Sequence, residues 1–274
     1  MRAFRLAIGE WTAAALAAFQ FLTRLPVPVR LNYTDALFRR SVVFYPLAGL
    51  VLGLLLALAG WLLRMGLPTL PAAALLLTLW VGLTGALHLD GWMDTADGVL
   101  SHRSRERMLE IMKDSRVGAM GVMACVLLLL LKWSLLSELL QGDGHLGPSA
   151  LPMILIPLWS RWYMVIAIAC WPYARAEGSG GLGGYFRGVG RKHLAAVTAL
   201  ALLLSTAVLA VIGQGWMMLG MLAGGALVTG AAGSLYLSRK LGGLTGDTYG
   251  ALNELIETVL LLALVLAQPM LGGG

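Results

Sequence analysis

The sequence predicts an all-α, polytopic integral membrane helix bundle of about seven spans, preceded by an N-terminal interfacial or spanning helix. Three observations carry this expectation. Of 274 residues, 58% are hydrophobic and only 12% charged, about half the charged share of a soluble domain. The mean hydropathy is +0.80. The apolar residues also gather into stretches of about 20, the length that crosses a hydrocarbon core as a helix. In lipid a single such stretch is helical, because its backbone groups find no other partner.

The elements follow in chain order. The stretch 4–23 (FRLAIGEWTAAALAAFQFLT) is interrupted by Glu10, so it lies at the interface or crosses as an eighth span. It lacks a small-residue cleavage site after a compact apolar core and does not read as a signal peptide. Spans are expected at 42–63, 68–89, 117–140, 150–172, 194–212, 216–238 and 251–271. The second contains AAALLLTLWVGLTGAL (72–87), which has no charge and leads directly into an acidic run. The third carries Lys132, which snorkels or pairs within the bundle. The fourth carries Arg161, which needs an acidic or phosphate partner inside the membrane. The last begins in a second acidic stretch, GGLTGDTYGALNELIE (242–257). The polar loops 98–116 and 173–193 are too short to bury a core of their own. The chain 1–274 is therefore expected to be a single membrane domain. No repeat stands out at a fixed period. Trp92 and the other tryptophans read as interface anchors. Cys125 and Cys170 fall in spans without a CxxC and receive no redox or metal role.

Charge orients the bundle. Of 20 Lys and Arg residues, four lie in 24–40, five in 90–116, four in 173–193 and two in 239–250. With seven spans all four loops share one side, and the opposite loops (64–67, 141–149, 213–215) hold only Arg64. The positive-inside rule makes the basic side cytoplasmic. The basic surplus then reflects topology and contact with anionic membrane lipid, and no nucleic-acid-binding motif is visible.

Both acidic stretches meet the membrane on that side. In HLDGWMDTADG (88–98), Asp90, Asp94 and Asp97 stand at i, i+4 and i+7, on one helical stripe. Asp247 and Glu254 are likewise seven apart. Carboxylates roughly 6 Å apart repel by about 3 kcal/mol at an effective dielectric near 20. A single acid at a helix start is usually a cap. Three on one stripe, facing a second pair, point instead to a divalent cation, and hard oxygen ligands favour Mg²⁺, Mn²⁺ or Ca²⁺. Gly91 and Gly98 leave room for a ligand or a second helix. His88 falls on the opposite face and reads as packing. The loop 98–116 (GVLSHRSRERMLEIMKDSR) reads as a solvated amphipathic segment or as a phosphate grip, for which Arg is the preferred fork. The glycine-rich loop 177–190 lacks a GK[ST] ending and is not a P-loop. Acids for a metal and cations for phosphate, at one membrane face, suggest phosphoryl-group transfer.

Five stretches carry a family resemblance: FLTRLPVP (21–28), FYPLAGLVLG (44–53), HLDGWMDTADG (88–98), RMLEIMKDSRVGAMG (107–121) and GGLTGDTYGALNE (242–254). They resemble cobalamin synthase, the adenosylcobinamide-GDP ribazoletransferase family, from end to end of the chain. The resemblance implies joining of α-ribazole or its 5′-phosphate to adenosylcobinamide-GDP, giving adenosylcobalamin or its 5′-phosphate and GMP. It implies Mg²⁺ and an inner-membrane protein, with the active site on the cytoplasmic face; an oligomer is compatible with it. On this basis Asp90, Asp94, Asp97 and Asp247 are expected to hold Mg²⁺. Glu254 is expected as a further ligand or as the base, and the five acids together form the catalytic set. Arg103, Arg105, Lys113 and Arg116 are expected on phosphate or guanosine, Asp114 to orient them or touch substrate, and Arg161 to bind substrate or pair with an acid. Two other readings are a Mg-dependent lipid-head-group phosphotransferase and a cation transporter. The transporter is disfavoured because the acids sit at span ends, whereas transport sites lie near the midplane.

Overall fold

The computed structural model describes residues 2–141, 150–175, 186 and 188–271, with side chains described between residues 9 and 268. Eleven α-helices follow one another among them. They are α1 (Arg2–Leu22), α2 (Asp35–Ser41), α3 (Tyr45–Gly66), α4 (Thr69–Thr84), α5 (Leu87–Val99), α6 (Arg105–Ile111), α7 (Ala119–Leu139), α8 (Ile156–Cys170), α9 (Arg191–Val211), α10 (Trp216–Leu241) and α11 (Gly246–Leu271). Six helical segments among the described residues are long and apolar enough to cross a membrane: Asp35–Gly66, Ala119–Leu139, Leu151–Cys170, Arg191–Val211, Trp216–Leu241 and Gly246–Gln268. A seventh is α4 with α5, taken as one broken pair. The chain is thus an all-α bundle of the multi-pass membrane kind. Its outer faces carry exposed Leu54, Leu58, Leu127, Leu130, Leu203, Val228 and Leu266, a surface that only lipid or another apolar partner covers favourably.

α3, α8 and α11 are the buried centre. α3 comes close to the chain before and into α8 because two glycines permit it. A Cβ on Gly49 would sit 2.2 Å from the Pro157 carbonyl oxygen, and one on Gly53 1.9 Å from that of Ile154. Small residues at such crossings let helix backbones approach where lipid supplies no hydrophobic drive.

The expected straight span 68–89 is corrected. Helix α4 stops at Thr84, and α5 leaves at 89° to it. The stop has a local cause. The Thr84 hydroxyl donates back to the Trp80 and Val81 carbonyls, and Gly85 (φ 61°) and Ala86 (φ 57°) both turn left-handed. The Gly85 and Ala86 amides close on the Gly82 and Val81 carbonyls, the Schellman way of ending a helix. The aspartate run therefore has a helix of its own, laid across the bundle rather than continuing α4.

The basic loops meet at one end. The Arg24 amide donates to the Leu83 carbonyl (2.7 Å), and the Ala174 amide to the Leu244 carbonyl (2.8 Å), with Leu244 answering to Pro172. Arg105 reaches the Ala174 carbonyl. At the other end, Arg64 is tied to the Leu140 and Leu67 carbonyls.

Candidate active site

The start of α11 is built by its own sequence. Thr245 and Thr248 cap it reciprocally: the Thr248 amide donates to the Thr245 hydroxyl oxygen (3.3 Å) and the Thr245 amide to that of Thr248 (2.8 Å). Asp247 thereby enters the first turn, where the helix dipole favours a carboxylate. α5 crosses α11 here at very short range. A Cβ on Gly91 would lie 2.5 Å from the Asp247 carbonyl oxygen, and one on Gly250 3.1 Å from the His88 backbone. Gly91 thus admits a second helix, as its position in the acidic run suggests. Gly98 does the same for α6, against Met108 and Met112.

This crossing brings the two acidic motifs together. Asp90 and Asp247 both line a cavity of about 210 Å³ at the basic end, with His88, Tyr173, Arg175 and Tyr249. Asp94 stands one turn on, within the electrostatic reach of Asp90, Asp247 and Asp97. Asp247 is not bare: Arg175 donates to its Oδ2 at 2.7 Å, and the Thr245 hydroxyl donates to it at 3.3 Å.

The four aspartates expected as metal ligands are not gathered at one point. Among the described residues no three His, Cys, Asp or Glu side chains stand close enough to hold one metal ion. Asp97 is committed elsewhere. Its two carboxylate oxygens accept from the amides of Gly118 (2.8 Å) and Gly121 (2.7 Å), so it caps the N-terminus of α7 from a neighbouring helix. The physical reason is distance along the axis: seven residues advance about 10 Å, so residues on one stripe need not share one ligand.

The same argument relocates Glu254. It shares a face with Asp247 but lies two turns deeper, where Lys132 donates to it at 2.5 Å. Lys132 also donates to Glu257 at 2.8 Å and stands 4.9 Å over the Trp80 ring. Arg161 donates to the other oxygen of Glu257. Ser160 and Asn253 add hydrogen bonds to that oxygen. All these groups are buried. Of the two roles open to Arg161, the structure shows pairing with an acid. His88 joins this network through Nδ1, 3.3 Å from both Arg161 Nη2 and Asn253 Nδ2.

The cations of the loop 98–116 do not line the cavity. Arg103 is exposed. Arg105 turns toward Ala174 and packs on Gly242. Arg116 is 86% exposed and grips Asp114 with both arms of its fork, Nη2 at 2.6 Å and Nε at 3.0 Å. That guanidinium holds the Asp114 carboxyl down at about 2. Lys113 is exposed on the same segment. The loop is thus not folded over the acids, and among the described residues the cation beside them is Arg175, which in the sequence stood out only as a topology charge. Its signal was the position of WPYAR directly after a span. Most of the glycine-rich stretch 177–190 lies outside the described residues.

Comparison with known proteins agrees with the motifs. A family model described as cobalamin-5-phosphate synthase matches residues 14–265. An adenosylcobinamide-GDP ribazoletransferase of Brevibacillus brevis is 41% identical over 259 residues, covering 92% of this chain and 97% of the relative. Proteins of the same name from Desulfitobacterium hafniense and Stutzerimonas stutzeri are each 43% identical, over 93% and 92% of this chain and 96% and 97% of their own length. No solved structure matches. With the match running through both acidic motifs and nearly the whole bundle, the chain belongs to the cobalamin-5-phosphate synthase family.

Proposed function

We propose that the chain is an adenosylcobinamide-GDP ribazoletransferase. It joins α-ribazole, or its 5′-phosphate, to adenosylcobinamide-GDP, yielding adenosylcobalamin or its 5′-phosphate and GMP. The observation that carries this reading is the crossing at Gly91 and Gly250, which gathers Asp90, Asp247 and Arg175 about one cavity. In the reaction a ribose hydroxyl oxygen bonds to the phosphorus that carries the cobinamide. The bond from that phosphorus to the bridging oxygen breaks, and GMP leaves with the electron pair. The hydroxyl proton passes to a carboxylate of the cavity wall, Asp90 or Asp247. Glu254 is a poor base, because it is buried in the bundle with Lys132 and does not line the cavity.

The donor set fits Mg²⁺. This ion is commonly bound through one or two carboxylates plus substrate phosphates, keeping several waters. Asp90 and Asp94 would hold it, and it would neutralise charge on the diphosphate. Arg175 orients Asp247 and adds a positive charge beside it. An inner-membrane location with the site facing the cytoplasm is supported by the clustering of basic loops at the cavity end. The test is turnover by purified protein in detergent with Mg²⁺, adenosylcobinamide-GDP and α-ribazole, read by mass spectrometry. Cobalamin and GMP should appear in equal amounts. A folded preparation that forms neither overturns the proposal.

A further inference from the structure

Three residues that line the cavity between α5 and α11 each carry a buried polar atom with no hydrogen-bond partner among the described residues. The atoms are His88 Nε2, Arg175 Nε and Tyr173 Oη. Buried donors are rarely left unmade in a native fold, and an exception calls for a ligand or a water. Three exceptions around one cavity are a pattern.

The hydrogen on His88 can be placed by elimination. Nδ1 faces Arg161 Nη2 and Asn253 Nδ2, each at 3.3 Å. A guanidinium has donors only. The Asn253 amide nitrogen is identified by its second bond, to Glu257 Oε1 at 3.0 Å. Nδ1 must therefore accept, and the neutral ring carries its hydrogen on Nε2. His88 is only 2% exposed. Arg161 and Glu257 act here as positioning residues, holding the ring in one tautomer. Tyr173 and Arg175 are fixed from another side, by the paired backbone of Pro172, Ala174 and Leu244.

All three groups can donate, and they share the cavity with the carboxylates Asp90 and Asp247. We infer that His88, Arg175 and Tyr173 form an oxyanion subsite that takes the non-bridging oxygens of a phosphoryl group. Preorganised donors of this kind stabilise charge that grows in a transition state without reorganising. The subsite deepens the proposed reaction and rests on that reading for the identity of the phosphoryl group.

The experiment measures binding of inorganic diphosphate with Mg²⁺ to the detergent-purified chain by calorimetry, with thermal unfolding alongside. His88→Asn places an acceptor where Nδ1 was and removes the inner donor. His88→Gln carries an amide out to the Nε2 position. Tyr173→Phe removes one hydroxyl. Diphosphate binding should weaken roughly tenfold or more in His88→Asn and in Tyr173→Phe, as for one lost hydrogen bond to a charged group. His88→Gln should bind within about threefold of the unaltered chain, a smaller loss than that tenfold step. Unaltered affinity in both His88→Asn and Tyr173→Phe overturns the subsite, as does an unaltered chain that binds no diphosphate. The proposed reaction is judged separately by turnover of the unaltered chain, so the two failures are distinguishable.

Discussion

Replacing Lys132 with methionine probes the buried charges of the bundle most directly. Lys132 is 3% exposed and lies 2.5 Å from Glu254 and 2.8 Å from Glu257, which are 9% and 0% exposed. With Arg161 on Glu257, two cations face two carboxylates, and the network is neutral. Methionine keeps the apolar stem of lysine and removes the charge, leaving a net negative charge with no water to solvate it. Removing one partner of a buried pair costs about 3–5 kcal/mol. For a chain of this size 1 kcal/mol moves the midpoint by about 2–4 °C, so the apparent Tm should fall by roughly 6–20 °C. The assay is thermal unfolding in one detergent at one scan rate, since the apparent midpoint depends on rate. Neutralising the orphaned partner should reverse the effect. Lys132→Met with Glu254→Gln restores the balance of one cation and one carboxylate, and should recover more than half of the loss. A single variant as stable as the parent, or a double variant whose cost is the sum of two losses, would refute the account of the network.

Asp90→Ala and Asp94→Ala should each abolish turnover with little change in Tm, whereas Asp247→Ala should abolish turnover and also lower Tm because it leaves the mostly buried Arg175 without its carboxylate; near-normal activity of Asp94→Ala with Mg²⁺ present would sink the metal assignment. Asp97→Ala should act differently, lowering the stability of α7 by about 0.5–2 kcal/mol as a lost cap does, and an unchanged Tm would argue against the bonds to Gly118 and Gly121. Gly91→Ala should lose activity at least tenfold, because its methyl would meet backbone at 2.5 Å and force α5 and α11 apart; full activity would contradict the close crossing. With Cys125 and Cys170 replaced, a cysteine at Ser104 should react with a membrane-impermeant reagent only in inverted or opened membranes. One at Gly144, outside the described residues, should react in intact spheroplasts, and the opposite pattern would reverse the orientation.

The membrane class, the spans and the existence of two acidic motifs were legible because each is a local property. Hydropathy over about 20 residues needs no knowledge of neighbours, and the motif residues in 88–98 and 242–254 are contiguous. The distribution of arginines similarly anticipated that the basic loops gather at one end. What periodicity could not supply was depth and partnership. It put Asp247 with Glu254 and Asp90 with Asp97, but two helical turns separate each pair along the axis. The outer members, Asp90 and Asp247, stayed at the cavity. Asp97 found the start of α7, and Glu254 found Lys132, 122 residues away in sequence. Arg175 met Asp247 across 72 residues, and Arg161 met Glu257 across 96. The bend at Gly85 and Ala86 was hidden for a related reason: an uncharged run reads as one span even where two left-handed residues turn it. A buried charge must find its opposite wherever the packed helices bring one. Such pairings arise from the tertiary fold, and it is the fold that separated the acids at the cavity from those that hold the bundle together.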